Sequence, residues 1–112
     1  MRTSNEKIQM KINTIKSKFE FQLEGRQIGY IKFTPIGRIM YLTKIIVPPT
    51  LIGKEYGKEM VDKALNAIDK MRFKVIPSSS FIRNYIRKHP EYQNLVYDPG
   101  GGKFHDRFSW LR

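Results

Sequence analysis

The stretch Val47-Pro48-Pro49-Thr50-Leu51-Ile52-Gly53-Lys54-Glu55-Tyr56-Gly57 constrains this chain more than any other. Before it, Arg38–Val47 is dense in β-branched and aromatic residues, the composition of a buried strand. Pro48 and Pro49 stop that strand: neither carries an amide hydrogen, and Pro49 keeps Pro48 out of the helical region. After Gly53 the apolar period becomes helical, with Gly57, Met60, Val61, Ala64, Leu65, Ile68 and Met71 at spacings of three and four. Lys58, Glu59, Asp62, Lys63, Asn66 and Lys70 fall on the wet side. A strand therefore feeds through a short glycine-containing turn into an amphipathic helix. The first turn of a helix has free backbone N–H groups and the positive end of the peptide dipole, and glycine lets a phosphate approach them. Two glycines at this spacing equally suit a helix that starts on a glycine for packing reasons.

The segments on either side set the fold class. Ile8–Ile15 reads as a first strand with a frayed start over residues 1–6. Phe19, Phe21 and Leu23 alternate with Glu20, Gln22 and Glu24, the period of a half-buried strand. Glu24-Gly25-Arg26 makes a turn, and Ile28–Phe33 makes the next strand, with a register irregularity near Gly29. Pro35-Ile36-Gly37 turns the chain into Arg38–Val47. Past the long helix, Phe73–Ile76 is one short buried strand ended by Pro77. Ser78, Ser79 and Ser80 offer an N-cap for a second helix carrying Phe81, Ile82, Tyr85 and Ile86 inward, and His89-Pro90 closes it. The expected fold is α+β: an antiparallel β-meander followed by helix, strand, helix. Residues 1–97 form one domain, and residues 98–112 a glycine-hinged basic-aromatic tail with Phe104, Phe108 and Trp110.

The 112 residues have room for a single core, which a hydrophobic fraction of 40% can fill. The absence of cysteine excludes disulfides, thiolate-bound metals and a cysteine nucleophile. His89 and His105 are the only histidines and the acids form no ligand-spaced set, so no metal is expected. Without a long apolar run, the expected setting is soluble and cytoplasmic, with no membrane partner. Lys and Arg number 21 against 10 acids, a net charge of +11 that attracts polyanions. The basic residues are dispersed along the chain, the pattern of a solvated surface. Nucleic acid is thus an open but disfavoured partner, resting on the charge and on the tail.

The valine-proline-proline at Val47-Pro48-Pro49, the order of elements, and Lys74–Ser80 followed by a helix ending in His89-Pro90-Glu91-Tyr92 resemble the short, single-domain branch of the GNAT acetyltransferase superfamily. The resemblance covers Phe19 to Val96. It implies acetyl-CoA as cofactor and direct transfer of an acetyl group to an amine, on a small molecule or a protein lysine, by a monomer or weak homodimer. It places coenzyme A against Ile46, Val47, Ile52, Gly53, Lys54, Glu55, Tyr56, Gly57 and Lys58. The Val47 N–H would polarise the thioester carbonyl, Tyr85 would protonate the leaving thiolate, and Ser79 would stand by the acyl group where relatives carry a cysteine. Tyr85 also reads as an amphipathic core tyrosine, and Ser79 as a plain N-cap. Ile52 replaces the family's arginine and Glu55 its middle glycine, while Lys44-Ile45 stands where relatives often carry His-Thr. No side chain stands out as general base. These departures leave a second reading open, a GNAT-fold binding module without turnover; a third is a basic nucleic-acid-binding protein.

Overall fold

The computed structural model describes residues 8–47 and 56–98. Four strands form an antiparallel meander: β1 (Ile8–Asn13), β2 (Lys18–Leu23), β3 (Arg26–Ile36) and β4 (Ile39–Ile46). Helix α1 (Tyr56–Lys70) then carries the chain to β5 (Lys74–Pro77), which lies parallel to β4 at the end of the sheet. A parallel neighbour needs such a crossover, which a hairpin cannot supply. Helix α2 (Ser80–Lys88) and a short 3-10 helix (Pro90–Leu95) follow, and Val96 bridges to Val75 beside β5. The architecture is the α+β arrangement expected, with the strand between the two helices in place. Among the described residues, no helix is long and apolar enough to cross a membrane.

Cross-strand register sorts the side chains onto two faces. Phe19 opposes Ile31, Phe33 opposes Leu42, and Met40 opposes Val75, so these apolar residues share one face. Both helices cover that face, with Met60, Val61, Ala64, Leu65 and Ile68 of α1 and Ile82 and Ile86 of α2 fully buried. The opposite face carries Lys11, Lys18, Tyr30, Lys32, Tyr41 and Lys44, all partly or fully exposed.

The turns have identifiable causes. Glu24 and Gly25 both take positive φ (53° and 80°), the conformation that matches a tight hairpin to the strand twist. Pro35 lies inside β3, opposite Met40, and not in the turn assigned to it; the turn is Gly37-Arg38. The strand tolerates that proline because Phe33, two residues before, already donates past the start of β2 to the Ser17 carbonyl at 2.9 Å. The missing N–H of Pro35 therefore falls beyond the paired edge. β1 is shorter than expected: Asn13 ends it by accepting the Lys16 N–H at 3.0 Å, which leaves Ile15 in the turn, 93% exposed. α1 ends without a glycine. Arg72 takes the left-handed conformation (φ 66°), Phe73 N–H reaches the Ile68 carbonyl at 3.2 Å, and Arg72 N–H the Asp69 carbonyl at 3.0 Å. Arg38 adds its guanidinium to the Met71 and Arg72 carbonyls at 3.0 and 3.3 Å.

The irregularity expected near Gly29 is a bulge: Phe21 pairs with Gly29 and Gln22 with Gln27, leaving Ile28 as the extra residue. Gly29 is required there by a neighbour. A Cβ on it would stand 2.2 Å from the Ile46 carbonyl oxygen and 3.1 Å from Met60 Cε, at a φ of 153°. Backbone against backbone cannot give way, so Gly29→Ala is expected to cost about 3 kcal/mol. Chemical denaturation of the variant checks this.

Candidate active site

β4 carries one residue more than its partner. Lys32 pairs with Lys44 and Phe33 with Leu42, so Thr43 is bulged out between them. The bulge reverses which residues point their backbone groups at which neighbour. On β3, Phe33 donates away from β4, toward Ser17, so alternation turns Tyr30, Lys32 and Thr34 toward β4. The Thr43 hydroxyl, 3.4 Å from the Lys32 carbonyl, fits that direction. Lys44 and Ile46 are consequently the β4 residues engaged with β3 beyond the bulge. Ile45 and Val47 turn their N–H and C=O groups to the other side, where β5 would continue.

β5 does not continue there. Its pairing with β4 runs from Ile39–Lys74 to Leu42–Pro77, while β4 extends to Ile46. The Leu42 carbonyl takes the last bonds, from the Ser78 and Ser79 N–H groups at 2.9 and 3.3 Å, and the chain then turns into α2. Arg83 holds this turn through the Ser78 carbonyl at 3.0 Å. The two parallel strands thus part beyond Leu42, and among the described residues no β5 residue pairs with Ile45 or Val47.

Three elements meet at this opening. Gly57, in the first turn of α1, is buried, and a Cβ there would stand 3.1 Å from the Phe81 ring and 3.6 Å from Val47 Cγ2. Glycine lets the start of α1 sit against the start of α2 and the end of β4. Phe81 is 40% exposed, a correction to its inward assignment: it covers Gly57 from the rim of the core. Tyr56 begins α1 half-buried, and Lys58 is exposed beside it. Ile46 pairs with Tyr30 and is exposed, while Val47 packs on the core. Ile52, Gly53, Lys54 and Glu55 lie outside the described residues. Ser79 occupies the N-cap position of α2 with extended backbone (φ −85°, ψ 133°), yet makes no side-chain capping bond.

A second cluster ties the helices together. Asp62, assigned to the wet side of α1, is half-buried and accepts hydrogen bonds on Oδ1 from the hydroxyls of Tyr85, at 3.4 Å, and Tyr92. Asn66 Nδ2 adds a contact to its Oδ2 at 3.4 Å. The partners come 23 and 30 residues later in the chain, so no local period on α1 could reveal them. His89 stacks on the Tyr85 ring with centroids 3.9 Å apart, and its Nδ1 lies 2.7 Å from the Tyr85 carbonyl. As the Nδ1–H tautomer it closes the end of α2. Pro90 starts the 3-10 helix that delivers Tyr92 to Asp62. Burial, followed by the Asp62 charge, pushes the Tyr85 phenol up to about 12; burial and the hydrogen bond to Asp62 raise Tyr92 further. Tyr85 is thus brought into this cluster.

A family model of GCN5-related N-acetyltransferases matches residues 18–95. The solution NMR structure of a GCN5-like protein from Staphylococcus aureus superposes with a TM-score of 0.62, covering 92% of this chain and 99% of that one at 20% identity. No curated protein matches the sequence.

Removing the carboxylate should loosen α1, α2 and the 3-10 helix together. Asp62→Ala strands two phenols and is expected to cost about 2–4 kcal/mol, and Tyr92→Phe about half that. Because both phenols are raised when folded, the stability they confer is complete below pH 10 and lost as pH climbs through about 12. Tyrosinate absorbance in a pH titration checks it: two of the six tyrosines should ionise late in the native protein, and earlier in Asp62→Ala, where burial alone still holds them above the free value.

Proposed function

The chain belongs to the GCN5-related N-acetyltransferase family, and from that premise we propose that it transfers the acetyl group of acetyl-CoA directly to an amine. The observation that carries this reading is the parting of β4 from β5 beyond Leu42–Pro77, which leaves backbone donors of Ile45 and Val47 in the opening at the head of α1. Acyl transfer from a thioester needs an oxyanion donor fixed before the reaction, and a strand amide held by the sheet behind it meets that need at no cost in reorganisation.

Acetyl-CoA supplies an activated acetyl group. In this reading the Val47 N–H receives the thioester oxygen as charge builds on it, and the Ile45 backbone holds the pantetheine amide in place of the next strand. The stretch from Pro48 to Lys58 takes the pyrophosphate, with Lys54 and Lys58 supplying positive charge. Ser79, whose hydroxyl caps nothing, is the polar side chain beside the acyl group. The incoming amine would attack the carbonyl carbon as the C–S bond breaks, and the proton that the amine gives up would pass through solvent to the departing thiolate, leaving the amide and the free thiol. Tyr85 fits poorly as the acid for the thiolate. Its pKa of about 12 lies well above that of a thiol near 8.5. The fit to Asp62 and His89 supports an anchoring role for it.

Ile52 and Glu55 favour a second reading, a module that binds coenzyme A without turnover. Two measurements separate the alternatives. Acetyl-CoA at a hundred times its Kd should stabilise the protein by about 2.7 kcal/mol, a shift of roughly 10 °C or more in a domain this small. Thiol release with a polyamine or lysine peptide then reports turnover, against no protein background because the chain has no cysteine. Stabilisation with thiol release supports transfer; stabilisation without release on any amine supports the binding module. No stabilisation at millimolar acetyl-CoA contradicts both. Ile52→Arg with Glu55→Gly should tighten coenzyme A binding at least tenfold if the turn holds the phosphates.

A further inference from the structure

The sheet face turned away from the helices has no part in the opening described above. The lysines it carries are scattered in sequence and aligned in space. Asn13 opposes Lys18, Lys18 opposes Lys32, and Lys32 opposes Lys44, so three lysines stand side by side on adjacent strands. At about 4.8 Å between strands the row spans about 10 Å. Like charges placed directly opposite each other destabilise a sheet, and nothing in the fold requires them here. Lys11 adds charge at one side of the face; Lys74, at the other, turns its Nζ to the Asn94 carbonyl at 2.6 Å. Glu20 is the one acid among the outward residues of the five strands; it lies a row away, held by Asn13 Nδ2 at 3.1 Å.

Aromatic residues border the row on both sides. Tyr30 precedes Lys32 on β3, and Lys18 Nζ rests 4.0 Å over its ring. Tyr41 lies in the row beyond, between Thr34 and Ile76, half-buried. We propose that this face binds single-stranded nucleic acid, the Lys18–Lys32–Lys44 row neutralising successive phosphates and Tyr41 stacking a base. An open sheet face with a cationic row and a bordering π-face suits a strand whose bases are free to turn out. A duplex offers its phosphates on a convex surface and keeps its bases stacked inside.

The test uses the full chain and a fluorescein-labelled decauridylate, read by anisotropy across salt concentrations. Three neutralised phosphates give a slope of log K against log salt of about −2. Lys32→Gln with Lys44→Gln should weaken binding at least tenfold and reduce the slope to about −0.7. That variant removes like-charge repulsion, so its melting temperature should be equal or higher, and lost binding cannot be traced to lost folding. Tyr41→Leu should weaken binding about fivefold or more, with Tyr41→Phe close to wild type. All of these variants should keep their response to acetyl-CoA, which separates this proposal from the preceding one. Absence of binding at low salt, affinity indifferent to the paired glutamines, or equal competition by polyglutamate would each overturn it.

Discussion

The extra residue at Thr43 is the constraint on which the rest of the opening depends. A regular β4 would aim the backbone of Lys44 and Ile46 at β5, as Leu42 does. The bulge hands those two residues to β3 and frees Ile45 and Val47 instead. It also keeps the side chains in step with the core, because Leu42, Ile45 and Val47 all pack inward although their spacing breaks a strict alternation. A strand alone could not hold that kink. β3 fixes it from one side, and the departure of β5 at Pro77 clears the other. Gly29 belongs to the same arrangement, since it lets the Ile46 carbonyl approach β3 closely.

The helices are positioned by a different interaction, the Asp62 carboxylate shared by two phenols. A half-buried charge loses solvation and must recover it from fixed donors. Tyr85 and Tyr92 provide them from two separate elements. The His89-Pro90-Glu91-Tyr92 segment thereby acquires a physical meaning: a histidine that ends α2, a proline that starts the next turn, and a tyrosine that returns to α1. Gly57 and Phe81 set the other end of the same helix pair. The opening beside Val47 is thus framed by elements locked at two points.

Much of this was legible in the sequence. The alternation of Phe19, Phe21 and Leu23 marked a strand with one buried face, and the period from Gly57 to Ile68 marked the buried stripe of α1. Pro48-Pro49 located the end of β4. The features that escaped are those created by pairing between distant segments. Thr43 carries no glycine or proline to announce a bulge; only its register against Lys32 and Phe33 makes one. Asp62 looked solvated because its partners lie on other elements. Phe81 follows the helical period yet sits at the rim, where α2 meets Gly57. The lysines appeared dispersed because strand register, not sequence spacing, lines them up.

The direction of the Ile45 and Val47 amides is the account's central claim, and amide chemical shifts in a titration with coenzyme A test it most directly. The account predicts the largest changes at Ile45, Val47 and Tyr56–Lys58, with Lys44 and Ile46 amides changing little because β3 already holds them. Changes centred on Lys44 and Ile46, or spread over Lys18 and Lys32 on the outer face with Val47 unmoved, would contradict it.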